Sequence, residues 1–336
     1  MKIGTVDLDH EVLVVAEAGN NHEGDIGRAH ELVRRAAEAG AHAIKFQTIV
    51  PERLVARSQP ARLEQLRRFC LTYDQFAQLA ETAARSGILF MSTPFDIESV
   101  RHLAPLVPAF KVASSDNNFF GLLEAVADTG KPVLLSTGLT AMDDVKRSCA
   151  VLDAAWRRRG VAPGLVLLHC VSAYPTPPES ANLLAIRSLE RETGYAVGYS
   201  DHTLGIESAV LSVALGARVI EKHFTLSRTQ SDYRDHQLSA EPAELAELVR
   251  RVKLARSALG DGIKRVMPEE QAVLQAGRRS AVARRALPAG HVVTREDVDW
   301  LRPSGGIAPD AAATLFGRRL RKAVAAGEAI TADVVS

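Results

Sequence analysis

Short apolar runs alternate with longer, helix-like stretches along the first 260 residues of the 336-residue chain. Eight runs occupy residues 12–18, 43–48, 88–95, 109–114, 132–137, 165–171, 195–200 and 218–224. They are nearly continuous in apolar residues, which is the pattern of parallel strands buried on both faces. The stretches between them repeat apolar residues every three or four positions, the period of an amphipathic helix. The chain therefore begins with strand–helix units.

Helix ends in this region carry clear signals. Thr72 and Gln75 form a capping-box pattern, and Gly87 ends the helix that follows. Strand–helix units imply parallel neighbours with right-handed crossovers, and eight strands are the number that closes a barrel. A doubly wound open sheet is the alternative, but the Gly-x-Gly-x-x-Gly phosphate loop typical of it is absent. The pattern predicts an α/β TIM (β/α)8 barrel over residues 1–260.

The composition changes after Gly260. Residues 261–279 combine Gly, Pro and charged residues with weak periodicity, so we expect a linker there. Residues 280–336 form a small second domain with a short internal repeat, since residues 286–298 resemble residues 323–334. Each copy pairs a Gly turn with a Thr that can cap a short helix. A domain of this size needs support from the barrel or from a partner subunit.

Charge and cysteine content narrow the expected partners. The formal net charge is +1 without a polybasic tract, so nucleic acid and acidic membrane surfaces are not expected partners. The start of the chain lacks the apolar segment of a signal peptide, and no apolar run is long enough to span a bilayer. Three widely spaced cysteines are typical of reduced thiols. We therefore expect a cytoplasmic protein.

Charged and hydroxyl residues stand near the carboxyl ends of the predicted strands, where active sites of β/α barrels lie. Burying an unpaired charge is costly, so Lys45 and Lys111 need either a structural ion pair or a ligand. With Ser114, Ser136 and Ser200 from neighbouring strands they would be able to hold a phosphate. The pattern alone leaves both interpretations open.

Two histidines end neighbouring strands of the predicted barrel. The imidazoles of His202 and His223 would meet at its mouth, where paired histidines can bind a divalent metal and leave positions for water or substrate. The alternative is that each is a hydrogen-bonded core histidine. Spacing alone favours that alternative.

A series of short segments, in order along nearly the whole chain, resembles the sialic acid (N-acetylneuraminate) synthase family. They are Glu17-Ala-Gly-Asn-Asn-His-Glu-Gly24, Lys45-Phe-Gln-Thr48, Ser92-Thr-Pro-Phe95, Lys111-Val-Ala-Ser114, Leu135-Ser-Thr-Gly138, His169-Cys170, Tyr174-Pro-Thr-Pro177, Tyr199-Ser-Asp-His-Thr203 and Glu221-Lys-His-Phe-Thr225. Leu301-Arg-Pro303 and Leu315-Phe-Gly317 resemble the family's antifreeze-like C-terminal domain, a β-rich SAF (β-clip) domain. Each motif is weak by itself, but the ordered series is specific.

The resemblance implies a role for each motif. His202 and His223 would bind a divalent metal, with manganese expected and magnesium or cobalt as alternatives. Glu17 would handle a proton or orient water. Phosphoenolpyruvate would be held by Lys45, Lys111, Ser114, Ser136 and Ser200. The acceptor pocket would be lined by Gln47, Thr93, Phe95, Asp116, Ser172, Tyr174 and Asp235, and by Arg302 from the other subunit of a domain-swapped homodimer.

The implied reaction joins phosphoenolpyruvate to a sugar aldehyde of the N-acylated mannosamine type. The metal polarises the aldehyde, and C3 of phosphoenolpyruvate attacks its carbon. Water then adds at C2, and phosphate leaves by C–O cleavage. The product would be a 2-keto-3-deoxy sugar acid of the sialic acid type.

The chain departs from the family on the acceptor side. The family usually has Pro-Gly-Pro-Asp-His after the His-Phe-Thr motif, whereas residues 226–236 contain neither Pro nor Gly and are one residue longer. Asp116 stands where Glu is common. The acceptor of a pseudaminic, legionaminic or other keto-deoxy sugar acid synthase is therefore an alternative. A Schiff-base aldolase using Lys45 or Lys111, or a non-catalytic carbohydrate-binding protein, also remains open.

Overall fold

Eight parallel strands form a nearly closed barrel in the computed structural model, which describes residues 1–336. They are β1 (Leu13–Gly19), β2 (Ala43–Thr48), β3 (Leu89–Pro94), β4 (Phe110–Val112), β5 (Val133–Ser136), β6 (Leu165–Cys170), β7 (Ala196–Asp201) and β8 (Val219–His223). Hydrogen-bonded neighbours follow the order β3-β2-β1-β8-β7-β6-β5-β4. Strands β3 and β4 pack side by side and complete the ring without a ladder. The predicted TIM barrel is confirmed, and the open doubly wound sheet is wrong.

Apolar side chains fill the barrel interior at the amino-terminal ends of its strands. The cluster there consists of Leu13, Val15, Ala43, Met91, Ala109, Leu134, Val166, Leu168 and Val219, together with three residues from a short N-terminal hairpin, Ile3, Val6 and Leu8. The hairpin pairs Lys2–Ile3 with Val6–Asp7 and closes this end of the barrel. Two-residue strands are too short to show a period, so the sequence pattern does not predict the hairpin.

Amphipathic helices cover the outside of the barrel. The predicted capping box of Thr72 and Gln75 is present, and Phe76, Leu79 and Ala83 of the same helix are buried. No helix in the structure is long and apolar enough to cross a membrane. The helices of the barrel unit are α1 (Ile26–Glu38), α2 (Pro51–Leu54), α3 (Pro60–Phe69), α4 (Tyr73–Arg85), α5 (Ile97–Leu103), α6 (Phe120–Ala127), α7 (Met142–Arg159), α8 (Ala185–Thr193), α9 (Glu207–Ala214), α10 (Arg234–Leu238) and α11 (Pro242–Leu259). One further helix, α12 (Gln271–Gly277), follows them in the chain.

The chain divides into two compact units, Met1–Gly260 and Asp261–Ser336. Residues 261–279, predicted as a linker, belong to the second unit and contain α12. The backbone amide and the hydroxyl group of Ser304 both donate to the backbone oxygen of Gln275, which ties α12 to that unit. No residue of α12 is buried, and its seven residues are too few for a helical period to indicate a helix.

The two copies of the internal repeat in the second unit pair with each other. Leu287 and Val324 occupy equivalent positions in the two copies and exchange backbone hydrogen bonds, each donating to the other. Gly290 and Gly327 both adopt positive φ, 82° and 80°, as a turn that favours glycine requires. The unit also contains two antiparallel strands, β9 (Ser280–Ala283) and β10 (Val298–Leu301), over an apolar core of its own.

Gly198 in β7 occupies a position where the barrel has no room for a side chain. A methyl group there would lie 2.5 Å from the Leu168 side chain and 2.5 Å from the backbone oxygen of Val219. The backbone cannot yield, so we expect Gly198→Ala to lower the free energy of unfolding by about 1–3 kcal/mol in urea titrations. Gly121→Ala in α6 is the control, because its methyl group would meet only ordinary contacts at 3.5 and 3.8 Å. Equal stability of the two variants would contradict the prediction.

Candidate active site

The carboxyl ends of the barrel strands surround a cavity of about 390 Å³. The side chains that face the barrel interior are apolar near the amino-terminal ends of the strands and polar near the carboxyl ends. At the carboxyl ends, Glu17 pairs in register with Lys45, and Ser200 pairs with Glu221. Every predicted site residue of the first unit except Asp116 lines this cavity. They are Glu17, Lys45, Gln47, Thr93, Phe95, Lys111, Ser114, Ser136, Ser172, Tyr174, Ser200, His202, His223 and Asp235.

Four buried charged side chains form the floor of the cavity. Lys45 Nζ lies 2.7 Å from Glu17 Oε2 and 3.7 Å from Glu221 Oε2, and Lys111 Nζ lies 3.7 Å from Glu221 Oε1. Burial opposes ionisation of Glu221, but the ammonium groups of Lys111 and Lys45 lower its pKa to about 2. Burial raises the pKa of Glu17 in spite of the adjacent Lys45. Glu221 is therefore ionised at neutral pH, and Glu17 is the carboxyl group that more readily takes up a proton.

Serine hydroxyl groups line the cavity with unused hydrogen-bonding capacity. Ser136 Oγ and Ser172 Oγ are buried and have no partner. Ser114 Oγ accepts from the backbone amide of Gly138 at 3.1 Å, so its own hydrogen is free to donate. Ser200 differs, because it donates to Glu221 Oε1 at 3.0 Å. Buried polar groups without partners are costly, so these hydroxyl groups are suited to a polar ligand.

His202 and His223 stand side by side, with ring centroids 5.3 Å apart. His202 Nδ1 lies 2.8 Å from the backbone oxygen of Val171 and so carries the hydrogen, which leaves a lone pair on Nε2. His223 Nδ1 is buried without a partner, and burial lowers the pKa of His223 to about 3. Two imidazoles with free lone pairs fit a divalent metal ion. No group of three or more His, Cys, Asp and Glu side chains is arranged to hold a metal ion, so water or substrate would fill the other positions.

The wall next to the charged floor is hydrogen-bonded to it. Gln47 donates to Glu17 Oε1 at 3.1 Å and accepts from Asn20 at 2.9 Å. Thr93 Oγ1 accepts from Lys45 Nζ at 3.0 Å. These bonds fix the orientation of the Glu17 carboxyl group and the Lys45 ammonium group, and they extend the site toward the predicted acceptor residues.

Two arginines on the cavity rim were not among the predicted residues. Arg234 Cζ lies 4.6 Å from the centroid of the Tyr174 ring, and Arg234 Nε lies 3.4 Å from Asp235 Oδ1. Arg62, from α3, lines the same cavity. Neither arginine lies on a barrel strand, so the expectation that site residues stand at the carboxyl ends of the strands could not identify them. In the sequence, Arg234 was indicated by its position in residues 226–236, the segment that departs from the family motif.

Glu221 and Cys170 also line the cavity, although the sequence pattern gives neither a role. Cys170 Sγ lies 3.7 Å from His202 Nδ1. The pattern favours a small buried apolar role for each cysteine. The charge of Glu221 within an otherwise apolar strand marks it as a strand-end candidate, but the sequence assigns it no specific role.

Asp116 and Arg302 lie outside this cavity. Asp116 belongs to a 3-10 turn at Ser114–Asp116, where its carboxylate accepts from Ser115 Oγ at 2.7 Å and burial raises its pKa. Arg302 belongs to the second unit and lines a separate cleft there with Arg265 and Arg278. The acceptor-binding roles of both residues stay predictions.

The chain is similar to known proteins over nearly its whole length. The profile of the NeuB family matches residues 32–264, and that of the SAF domain matches residues 278–335. N,N'-diacetyllegionaminic acid synthase of Legionella pneumophila is 37% identical over 94% of this chain and 92% of its own length. N-acetylneuraminate-9-phosphate synthase of Mus musculus is 38% identical over 85% and 81%, respectively. The crystal structure of N-acetylneuraminic acid synthetase from Leptospira borgpetersenii, in complex with citrate, covers 82% of this chain and 94% of its own at 36% identity and a TM-score of 0.76. The chain therefore belongs to the NeuB family and carries an SAF domain over residues 278–335.

Proposed function

We propose that this protein condenses phosphoenolpyruvate with an N-acylated mannosamine-type aldehyde and water, giving a 2-keto-3-deoxy sugar acid and phosphate. The relatives above are named as synthases of acids of this type. The observation that carries the proposal is the convergence of two buried lysines, unpartnered serine hydroxyl groups and two imidazoles in one cavity. This set can bind a phosphorylated carboxylate beside a polarised carbonyl group.

The donor is proposed to lie over the charged floor. Lys45 and Lys111 supply charge for the phosphate and carboxylate groups of phosphoenolpyruvate, and burial strengthens such charge-assisted hydrogen bonds. Ser114 and Ser136 have hydrogens free to donate, whereas Ser200 must first turn away from Glu221.

Glu17 is proposed to manage the proton of the attacking water. Attack by C3 of phosphoenolpyruvate on the aldehyde carbon leaves positive character at C2, and a proton passes to the aldehyde oxygen. Water adds at C2 as Glu17 takes one of its protons, which replaces the proton that the aldehyde oxygen has gained. The C2–O bond to phosphate then breaks as the C2 hydroxyl proton passes to the departing phosphate and the C2 carbonyl forms. Gln47 and Lys45 each hold one oxygen of Glu17, and burial, which raises its pKa, favours proton uptake by this carboxyl group.

His202 and His223 are proposed to hold the divalent metal, with manganese expected. When bound, such an ion polarises the aldehyde carbonyl as a Lewis acid. The protein prepares the two ligands by different means. The backbone oxygen of Val171 fixes the tautomer of His202, and burial keeps His223 neutral.

One observation favours a second candidate, a Schiff-base aldolase. Burial lowers the pKa of Lys111, which is the change that activates a lysine as a nucleophile. Such an enzyme would be trapped by borohydride on Lys111, would need no metal and would release no phosphate. The carboxylate of Glu221 at 3.7 Å favours the ammonium form and therefore the condensation.

Phosphate release tests the proposed function. Metal-stripped protein restored with manganese is incubated with phosphoenolpyruvate and a panel of N-acylated mannosamines and related hexose aldehydes. We expect release that requires both the metal and one acceptor. A protein that does not bind phosphoenolpyruvate at all would overturn the proposal and favour the aldolase or a carbohydrate-binding protein.

Gly138→Ala is expected to raise the KM for phosphoenolpyruvate by about tenfold or more. A methyl group there would lie 2.6 Å from Ser172 Oγ and 2.7 Å from Ser114 Oγ, so both hydroxyl groups must move. A hydrogen bond to a charged group contributes about 1.5–3 kcal/mol, and about 1.4 kcal/mol corresponds to a factor of ten. The KM is measured at saturating acceptor, with thermal unfolding as the control for folding. An unchanged KM would show that the Ser114 hydroxyl group does not hold the donor.

A further inference from the structure

The rim of the cavity carries two arginines that the donor site does not use. Arg62 lies in α3, which follows β2, and Arg234 begins α10, which follows β8, so segments from both neighbours of β1 supply them. Both line the main cavity, and both line a smaller adjoining cleft of about 360 Å³ together with Gln65, Asp232 and Tyr233. The two segments contact each other through the Phe69 and Tyr233 rings, whose centroids are 5.0 Å apart.

The guanidinium groups of this pair are not saturated by carboxylate contacts. Arg62 forms no ion pair, and its side chain donates to the neutral amide oxygen of Gln65 at 2.6 Å. Arg234 is 64% exposed and has one carboxylate neighbour, Asp235, at 3.4 Å. That carboxylate also accepts from the Tyr233 hydroxyl group at 3.1 Å, and Asp232 pairs with neither arginine. Asp232 and Asp235 match the formal charge of the two arginines, but only Asp235 contacts a guanidinium group, so both arginines keep N–H groups free to donate.

Phosphoenolpyruvate does not need this charge. On the cavity floor, Lys45 and Lys111 line the proposed donor site, and unpartnered hydroxyl groups stand beside them. Tyr174 separates floor from rim, since its ring lies 4.2 Å from the His202 ring and 4.6 Å from Arg234 Cζ. An acceptor whose aldehyde reacts next to His202 and which runs along Tyr174 would therefore present its far end to Arg234.

The arginine at position 234 is also a feature of this chain rather than of the family motif. Asp235 and His236 match the end of the Pro-Gly-Pro-Asp-His motif, so Arg234 stands where that motif has proline. A cation therefore lines the cavity at a position where the motif that this segment resembles has an uncharged residue.

We infer that the acceptor is an anionic aldose, with a phosphate ester or a carboxylate on the carbon farthest from its aldehyde, and that Arg62 and Arg234 bind this anion. The inference rests on the proposed condensation and specifies its second substrate. Guanidinium groups match both anions, because their planar N–H pairs form paired, charge-assisted hydrogen bonds with two oxygens.

Three matched acceptors test the inference. One N-acylated aldose is compared with a hydroxyl group, a phosphate ester or a carboxylate at its terminal carbon, using wild type, Arg62→Gln and Arg234→Gln. We expect wild type to prefer one anionic aldose by about tenfold or more in kcat/KM, and each substitution to lower that value by about tenfold to 100-fold. The neutral aldose and the KM for phosphoenolpyruvate should change little. Arg68→Gln, at an exposed position of α3 outside the cavity, is the matched control.

Each other outcome is decisive. Equal kcat/KM of wild type for neutral and anionic aldoses would overturn the inference. An equal loss of kcat/KM on all three acceptors in the arginine variants would also overturn it. A rise in the KM for phosphoenolpyruvate alone would assign the arginines to the donor and also overturn it. Calorimetric binding of the three aldoses to protein loaded with phosphoenolpyruvate repeats the comparison without turnover. If the condensation reaction is not observed, these binding measurements still test the anion site.

Discussion

Replacing His223 by glutamine is expected to reduce phosphate release from phosphoenolpyruvate by about 10³-fold. Lewis-acid polarisation of a carbonyl group contributes several kcal/mol to the transition state, and each 1.4 kcal/mol or so is a factor of ten in rate. Glutamine keeps a polar side chain of similar size but has no imidazole lone pair. In the proposed site two imidazoles hold the metal, so loss of one would leave a single protein ligand. The rate is measured as kcat/KM at saturating manganese.

Manganese binding separates this effect from misfolding. His223 Nδ1 has no hydrogen-bond partner, so the substitution breaks no native bond at that atom and the thermal unfolding curve should change little. Electron paramagnetic resonance of bound Mn²⁺ should show weakened binding in His223→Gln and also in His202→Gln. His10→Gln, at an exposed position near the N-terminus, serves as the control. Intact manganese binding in both active-site variants would show that the metal lies elsewhere.

The barrel strands were predictable because their burial on both faces leaves a continuous apolar signal. The run at residues 43–48 coincides with β2, and the run at 165–171 extends one residue past β6. Elements without that signal were missed. The N-terminal hairpin is too short for a period to develop, and α12 buries none of its residues.

The candidate site was predictable only where a strand carries it. Side chains alternate along a strand, so a polar residue two positions beyond a buried inward one, as Lys45 is beyond Ala43, also faces the barrel interior. Arg62 and Arg234 follow no such rule, because the path of the chain after β2 and after β8 decides where they lie. The sequence also cannot show which hydroxyl groups are already hydrogen-bonded. The hydroxyl group of Ser200, for example, donates to Glu221.

Glu221→Gln is expected to lower the free energy of unfolding by about 3 kcal/mol. The substitution keeps the size of the side chain but leaves Lys111 without its carboxylate neighbour, and removal of one partner of a buried ion pair typically costs about 3–5 kcal/mol. The pKa of Glu221 is lowered from 4.5 to about 2, so its stabilising effect is present above pH 4.5 and is lost as the pH falls toward 2. Urea titrations at several pH values should therefore show a smaller difference between variant and wild type in acid.

A second substitution identifies the cause of the loss. Lys111→Met in the Glu221→Gln background removes the orphaned cation and should restore part of the lost stability, a non-additive result that two independent sites would not give. Phosphate release should remain low in the double variant, because the floor then lacks one of its two lysines. Glu247→Gln, in an exposed pair with Arg250, is the control and should leave the unfolding curve nearly unchanged. Additive losses in the double variant would mean that Glu221 and Lys111 do not stabilise each other, and that Glu221 acts through Lys45 and Ser200 instead.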